Sequence, residues 1–516
     1  MNKVDSRRIT KNTFLLYFRM LLTMGVSLYT TKVVLATLGV DDFGIYNVVG
    51  GIVVLFAFLN NAMLASSQRF IAYELGCGNL DSQKRVFSSS LTIHYLIAFL
   101  LLLLALTVGM WFLNTYLNIP DNRNLAANIV FIMSSLGFSI NVTSVPYTAS
   151  ILAHEKMDVY AWISIVDAFL KLLIVYLLQV INGDKLIVYS ILMLLIVVVN
   201  RTWYQLYANK NFKECRYVKL HDKTQLKTML NFAGWSFLGN FAFSAKDYGV
   251  NIIINIFTNV AVNAARGIAY QIMNVINGFV SNFQMAVNPQ IYKQYAAKNI
   301  IEMLSLVIRS SKFSFVLLSF IVIPFYIRMP FILSMWLEDV PNYTIQFLEL
   351  VLIMAMINSM AGPIVVAIQA TGKVKVFQII IATIMILDIP LSCVVLKVGF
   401  APYSVMFVAI FTAVIGLVAR IIVLSRLISV VNVSYFIIPL FFNCPFSFIL
   451  SFFPIRYLSS IVDDTWGGLI LITIASVFWI SFVSFIVIFD NSEKMIIRNK
   501  VSSACDHLKW IYFKQQ

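Results

Sequence analysis

Charged side chains occur inside stretches of this chain that are otherwise strongly apolar. Apolar runs of about 20 residues recur from Thr13 to Asp490, and each is long enough to cross a bilayer. Exposure of a charge to lipid would cost about 3 kcal/mol. We therefore expect most of the charges within these runs to face protein or a water-filled cavity and to be candidates for binding. Eight ionisable residues lie well inside these runs: Arg19, Lys32, Asp167, Lys171, Lys246, Asp247, Arg266 and Asp388.

The cations divide by their depth in the apolar runs. Arg19, Lys32 and Arg266 lie within about two turns of the end of a run, so each could instead extend its charge to the membrane surface. Lys246 lies near the middle of its run, too deep for that escape, and is the strongest candidate for a binding residue. Contact of Lys246 with lipid or with a buried carboxylate would contradict any mechanism that depends on this binding role.

The acidic residues are candidates for ion coupling. Asp167 and Lys171 are spaced i, i+4 and can form an ion pair on one helix face. Lys246 and Asp247 are adjacent and project roughly 100° apart on a helix, so they cannot share a face. Asp247, Asp167 and Asp388 are the candidate sites for a coupling ion, H⁺ or Na⁺. A buried structural role is the alternative for Asp388.

Composition places the chain in the membrane. It has 516 residues, of which 60% are hydrophobic and 12% charged, whereas soluble domains contain about 25% charged residues. The net charge of +15 indicates basic cytoplasmic loops rather than a nucleic-acid partner. The sequence predicts an all-α integral membrane protein with about 14 spanning helices. We predict these near residues 13–38, 43–65, 88–113, 125–152, 159–182, 186–208, 230–257, 262–289, 311–335, 343–369, 376–397, 404–424, 434–459 and 467–489.

The distribution of basic residues predicts the orientation. If the amino terminus is cytoplasmic, 28 of the 38 Lys and Arg residues lie in or beside inner segments, and at most five lie outside. Inner loops carry this excess in membrane proteins, so both termini are predicted to be cytoplasmic. The first apolar stretch is too long for a cleavable signal peptide and is read as the first spanning helix.

An internal repeat organises the chain. A shift of 217 residues places eight residues of the fourth predicted helix and its exit on residues of the same type, and Asn141, Pro146 and Lys156 fall on Asn358, Pro363 and Lys373. The shift spans six helices, so the copies are predicted to be parallel repeats, with a binding site between them. The predicted domains are residues 1–209 (helices 1–6), 210–229 (a basic linker), 230–429 (helices 7–12), 430–489 (helices 13–14) and 490–516 (a cytoplasmic tail).

Motifs for covalent chemistry are missing from the sequence. It contains no phosphate-binding loop, since Ala367 and Val374 stand where Gly and Ser or Thr belong around Gly372 and Lys373. The four histidines are isolated, the five cysteines are scattered, and neither pattern suits a metal site. We therefore expect neither an enzyme, nor a catalytic residue, nor a bound cofactor other than a coupling ion.

Several short motifs resemble one protein family. They are Leu38-Gly39, Phe43-Gly44-Ile45-Tyr46, Gln68-Arg69-Phe70-Ile71-Ala72 and Ala264-Ala265-Arg266-Gly267-Ile268-Ala269. The chain resembles the bacterial O-antigen and polysaccharide flippases of the multidrug, oligosaccharidyl-lipid and polysaccharide exporter superfamily. The resemblance implies two six-helix lobes around a central cavity lined by helices 1, 2, 7 and 8, plus an appended helix pair. It also implies a location in the bacterial inner membrane.

The resemblance implies a substrate and a mechanism. The residues on the cavity helices, Arg19, Lys32, Lys246, Asp247 and Arg266, give a net charge of +3, which suits a pyrophosphate. The expected substrate is a polyprenyl-pyrophosphate-linked oligosaccharide, moved by alternating access, with membrane lipids and other glycan-assembly proteins as partners. The alternatives are a multidrug antiporter of the same superfamily, a non-transporting scaffold with mutually paired charges, and a membrane glycosyltransferase.

Overall fold

The protein is helical throughout its described part. The computed structural model describes residues 3–54, 57–116, 119–181, 183–218, 223–258, 260–336, 340–430 and 432–495, and none of them forms a strand. The first nine helices are α1 Lys3–Val54, α2 Ala57–Cys77, α3 Leu80–Leu104, α4 Met110–Tyr116, α5 Asn124–Ala153, α6 Met157–Val180, α7 Lys185–Asn211, α8 Lys223–Phe257 and α9 Val260–Ala296.

In the rest of the described chain nine further helices follow, several of which continue one another. α13 and α14 meet at Leu387, and a π-helical segment joins α16 to α17, as another joins α3 to α4. The helices are α10 Ile300–Ile327, α11 Met329–Trp336, α12 Thr344–Ala370, α13 Lys375–Ile386, α14 Asp388–Lys397, α15 Val405–Leu427, α16 Val433–Ile437, α17 Cys444–Ile461 and α18 Trp466–Val487.

The chain is a multi-pass membrane protein. Within the described ranges, ten helical segments are long and apolar enough to cross a bilayer. The predicted all-α membrane fold is confirmed. Exposed Trp, Phe and Leu side chains cover these segments, as expected where the solvent is lipid and not water.

The first two predicted helices differ from those observed. The predicted break between residues 38 and 43 is a kink inside α1, where Gly39 has φ +83° and ψ 170°, a conformation that glycine adopts readily. The predicted second helix ends at residue 65, whereas α2 continues to Cys77 and only a short turn separates it from Leu80. Hydropathy marks where a chain leaves the hydrocarbon, while backbone hydrogen bonds continue the helix beyond that point.

The helices pack into two compact units. Unit 1 comprises Met1–Ser244, Met285–Ile300 and Gln369–Ala382, and unit 2 comprises Ala245–Gln284, Ile301–Ile368 and Thr383–Gln516. Unit 1 thus gathers the carboxyl-terminal part of α9, the end of α12 and most of α13. These units follow packing and not the sequence repeat, so the predicted domain boundaries stay a prediction.

The repeat is visible in the helix bounds. The 217-residue shift carries α6 to residues 374–397, where α13 and α14 span Lys375–Lys397. It also carries Glu155, with φ 61°, onto Gly372, with φ 75°. A shift of 220 residues relates Gly78, with φ 77°, to Lys298, with φ 61°. Recurrence of rare positive φ values at matching turns supports the predicted duplication.

In unit 2, α10 is attached near its middle and just after its carboxyl-terminal end to the segments around α17 and α18. Arg328, just after α10, donates to the carbonyl oxygen of Ser459 at 3.2 Å and pairs with Asp464. Near the middle of α10, Lys312 Nζ donates to Glu493 Oε2 at 2.9 Å, and Arg309 lies 3.7 Å from the same carboxylate. The loop before α18 and the segment after it are therefore both held on α10.

Candidate functional site

A polar pocket lies within unit 1, among α2, α5, α6 and α7. Its volume is about 330 Å³, within the range of ligand sites. The wall carries carboxamides, hydroxyls and tyrosines together with three charged groups. The polar residues that line it are Asn60, Asn141, Ser144, Thr148, Tyr160, Ser164, Asp167, Lys171, Asn200, Arg201 and Tyr204.

Asp167 is the acidic group of this pocket. Lys171 Nζ, one turn along α6, donates to its Oδ2 at 2.7 Å, which confirms the ion pair predicted from the i, i+4 spacing. Asn200 Nδ2 on α7 donates to Oδ1 at 2.6 Å. Both carboxylate oxygens therefore have partners, so a coupling ion would have to compete with an ammonium group and an amide. The ion-coupling role of Asp167 stays a prediction.

Two guanidinium groups lie at the pocket. Arg201 is on its wall and donates to Gln205 Oε1 and, at 2.6 Å, to the hydroxyl of Tyr95. Arg19 of α1 lies beside it, with Cζ 4.8 Å from the centroid of the Tyr160 ring. Arg201, Lys171 and Asp167 leave the wall with one excess positive charge, and Arg19 adds another nearby.

Lys246, the strongest candidate from the sequence, is not an unpaired cation. In unit 2 its ammonium group on α8 contacts the carboxylate of Asp388, the first residue of α14. Asp388 is 1% exposed and the Lys246 side chain 15%. This contact with a buried carboxylate contradicts the flippase mechanism predicted from an accessible Lys246, and its physical reason is that a charge so deep needs compensation. A binding role for Lys246 itself stays a prediction. With Asp388 included, the predicted cationic set falls from +3 to +2.

Arg266 and Asp247 form another ion pair of unit 2, in which the arginine is buried and the aspartate is partly exposed. Arg266 Nη2 donates to Asp247 Oδ1 at 2.6 Å, Nη1 contacts Asn251, and the guanidinium lies 4.2 Å from the centroid of the Tyr270 ring. Arg266 is 2% exposed, so it does not extend to the membrane surface. Asp247 and Lys246 have different partners, as their predicted angular separation requires. Ion coupling at Asp247 or Asp388 stays a prediction.

The remaining predicted site residue lies outside what can be described. Lys32 falls in α1, but its side chain is outside the described residues. Arg19 belongs to unit 1, and Lys246 and Arg266 belong to unit 2. The predicted convergence of these cations on one cavity therefore stays a prediction.

Sequence reasoning missed most of the pocket wall. Asn141 was noted only as a repeat residue, and Arg201 only as part of the inner charge excess. The available signal was the polar series Asn141, Ser144 and Thr148 on α5, spaced i, i+3, i+7 and therefore on one helix face. Short hydroxyl side chains are common in spanning helices, which hides such a series.

In the described ranges, no group of three or more His, Cys, Asp or Glu side chains could hold a metal ion.

Comparison with known proteins identifies the fold. No protein-family model and no curated protein matches the sequence. Solved structures match: a MATE in complex with MaD3S superposes with a TM-score of 0.70 at 13% sequence identity, covering 83% of this chain and 99% of that one. An outward-facing multidrug resistance MATE family transporter of the MOP superfamily gives a TM-score of 0.70 at 12% identity, with the same coverage.

A third solved structure carries a different functional description. It is a MOP superfamily transporter from Pyrococcus furiosus, with a TM-score of 0.68 at 12% identity, covering 83% of this chain and 99% of that one. That structure is described by a reverse polarity of its binding pocket, which suggests a different function. At these identities the likeness concerns the fold, and the chain shares the all-α membrane fold of MATE transporters of the MOP superfamily.

Proposed function

We propose that this protein is a transporter that moves a polyprenyl-pyrophosphate-linked oligosaccharide across the bacterial inner membrane by alternating access. The polar pocket of unit 1 carries the proposal. Its carboxamides and hydroxyls are the groups that bind sugar hydroxyls, and tyrosine rings such as Tyr160 and Tyr204 offer flat apolar faces to a sugar ring. The excess of cations on and beside the wall suits the phosphates of the same molecule.

The charge of the pocket supports an anionic substrate over a cationic one. A site for cationic drugs needs an excess of carboxylates, but among the described residues that line the pocket Asp167 alone is acidic, and it is already paired with Lys171. The positive charge of Arg201 then remains as the net charge of the pocket wall. A guanidinium can give two parallel hydrogen bonds to one phosphate group.

The second candidate is a multidrug antiporter, and the solved structures favour it more directly. Two of the superposed structures are MATE transporters, one of them described as a multidrug resistance transporter. That likeness lies in the fold, which hosts pockets of either polarity, as the transporter from Pyrococcus furiosus indicates. The two proposals differ in the charge of the substrate, which makes them separable.

The experiment reconstitutes purified protein in liposomes with a fluorescent polyprenyl-pyrophosphate oligosaccharide or with a cationic dye. We expect movement of the glycolipid, reduced at least tenfold by Arg201→Gln. The control is Thr202→Val on the lipid-exposed side of the same helix, and it should leave the rate unchanged. Movement of the dye without movement of the glycolipid would establish the antiporter instead.

A further inference from the structure

α2 and α9 touch at their carboxyl-terminal ends. A Cβ atom placed on Gly76 would lie 2.7 Å from Ala296 Cβ and 3.0 Å from the carbonyl oxygen of Lys293, so only glycine permits this approach. The shift of 220 residues that relates Gly78 to Lys298 also carries Gly76 onto Ala296. Contact between equivalent residues is the signature of an approximate two-fold axis. The charge distribution predicts that these helix ends are cytoplasmic.

The first of two polar contacts beside this crossing joins α2 to the end of α12. Arg69, on α2, donates from Nε to the carbonyl oxygen of Gln369 at 3.1 Å and from Nη2 to that of Ala370 at 3.0 Å. These are the last carbonyls of α12, which have no partner within the helix. Arg69 is 7% exposed, and its guanidinium lies 4.4 Å from the centroid of the Phe70 ring.

Gly372 adapts the end of α12 to this arginine. Its φ of +75° is a conformation that glycine adopts without strain. A Cβ atom at this position would lie 2.8 Å from Arg69 Nη2. Any other residue would be strained by the backbone and would also crowd the guanidinium.

The second contact joins α9 to the end of α5. Glu155, in the turn after α5, pairs with Lys293 Nζ and accepts from Gln290 Nε2 at 2.9 Å. Asn12 Nδ2 donates to the backbone carbonyl of Glu155 at 3.2 Å. The side chain of Glu155 is 6% exposed. The turn is held from two directions by helices distant in sequence.

The two contacts are related by the internal repeat. Glu155 and Gly372 are equivalent under the 217-residue shift, as are the ends of α5 and α12. α2 and α9 are equivalent under the 220-residue shift. The first contact joins α2 of one copy to the turn after α12 of the other copy. The second joins α9, the equivalent of α2, to the turn after α5, the equivalent of α12.

We propose that these two contacts form a latch that closes the cytoplasmic side of the protein and opens once in each transport cycle. We call the Arg69 contact the first arm and the Glu155 contact the second arm. The inference rests on the proposed transport function, because a latch serves a protein that alternates. The first arm consists of hydrogen bonds, and the second consists of an ion pair and hydrogen bonds. Both lie at helix ends that are predicted to face the cytoplasm, so water can replace each partner when the latch opens.

A reversible cross-link tests the latch. Native Cys77 is exposed at the end of α2, next to Gly76, and Lys298 lies two residues after Ala296, the residue that Gly76 touches. Lys298→Cys, with the other cysteines replaced, would allow a short, reducible bifunctional thiol reagent to join the two helix ends. We expect cross-linking to slow glycolipid transport at least tenfold and reduction to restore it. Lys298→Ser with the same reagent is the control, and unchanged transport by cross-linked protein would overturn the latch.

A second measurement does not depend on transport. Ser144→Cys places a thiol on the pocket wall, and in inside-out vesicles an impermeant reagent reaches it only through the cytoplasmic side. We expect Arg69→Gln combined with Glu155→Gln to raise the labelling rate at least fivefold, and Arg85→Gln, an exposed arginine on α3, to leave it unchanged. An unchanged rate in the double variant would overturn the latch. A raised rate in a protein that moves no glycolipid would retain the latch and reject the proposed function.

Discussion

Lys246 on α8 and Asp388 at the start of α14 form an ion pair in which the carboxylate is almost completely buried. Removal of one partner from such a pair leaves an uncompensated charge and costs about 3–5 kcal/mol, whereas an apolar replacement of both can be neutral. We therefore expect Lys246→Gln to lower the thermal stability of the purified protein strongly. Lys246→Leu with Asp388→Leu should restore it. A double variant as unstable as the single one would contradict the pairing.

The same double variant separates stability from export. If Lys246 also binds the pyrophosphate, the double variant should fold and still lose export of surface glycan. Lys246→Arg should then retain more export than Lys246→Gln, because a pyrophosphate binds to a positively charged side chain. Full export by the folded double variant would leave the lysine a structural role alone. Surface glycan and protein level should be measured in the same cells.

Orientation can be tested with one introduced thiol. Asn342 is exposed just before α12 and is predicted to lie outside, whereas native Cys77 is exposed at an end predicted to lie inside. In intact cells we expect an impermeant maleimide to label Asn342→Cys and to leave Cys77 unlabelled until the cells are opened. Labelling of wild-type Cys77 in intact cells would reverse the predicted topology.

The turn after α7 should be sensitive to acid. Burial alone would raise the pKa of Glu214, but hydrogen bonds from His154 and the backbone hold it below the ordinary value of 4.5. A carboxyl whose folded pKa is depressed contributes stability above its unfolded pKa and loses it as pH falls through the folded value. We expect Glu214→Gln to lower the melting temperature at pH 7, with a difference that shrinks below about pH 4.5. A difference that stays constant would contradict this contact.

Two adjacent glycines at the start of α18 offer a matched comparison. A Cβ atom on Gly468 would lie 2.2 Å from the backbone carbonyl oxygen of Asp463, whereas one on Gly467 would meet nothing closer than Thr465 Oγ1 at 3.9 Å. We expect Gly468→Ala to destabilise the protein by about 1–3 kcal/mol through overpacking. Gly467→Ala should be neutral or slightly stabilising. Equal melting temperatures for the two variants would contradict the packing of this loop.

The fold was largely predictable from the sequence, because hydropathy and helix length report directly on burial in lipid. The pairing of Asp167 with Lys171 was predictable as well, since both lie one turn apart on α6. The partner of Lys246 was not. Asp388 is far from Lys246 in sequence. The 217-residue shift places Lys171, a residue of opposite charge, at the position of Asp388. Long-range pairs depend on the packing of separate helices, which periodicity within one segment does not encode.

The two attachments of α10 have a mechanical consequence. Arg328 holds the loop before α18, while Arg309 and Lys312 hold the segment after it, so α10 and the last helices are clamped at two separated points. Two fixed points remove the freedom to swing independently. If α10 tilts, α17 and α18 tilt with it and push aside the lipid against their exposed faces. Any such movement performs work on the bilayer, so membrane thickness and stiffness become variables that set its rate.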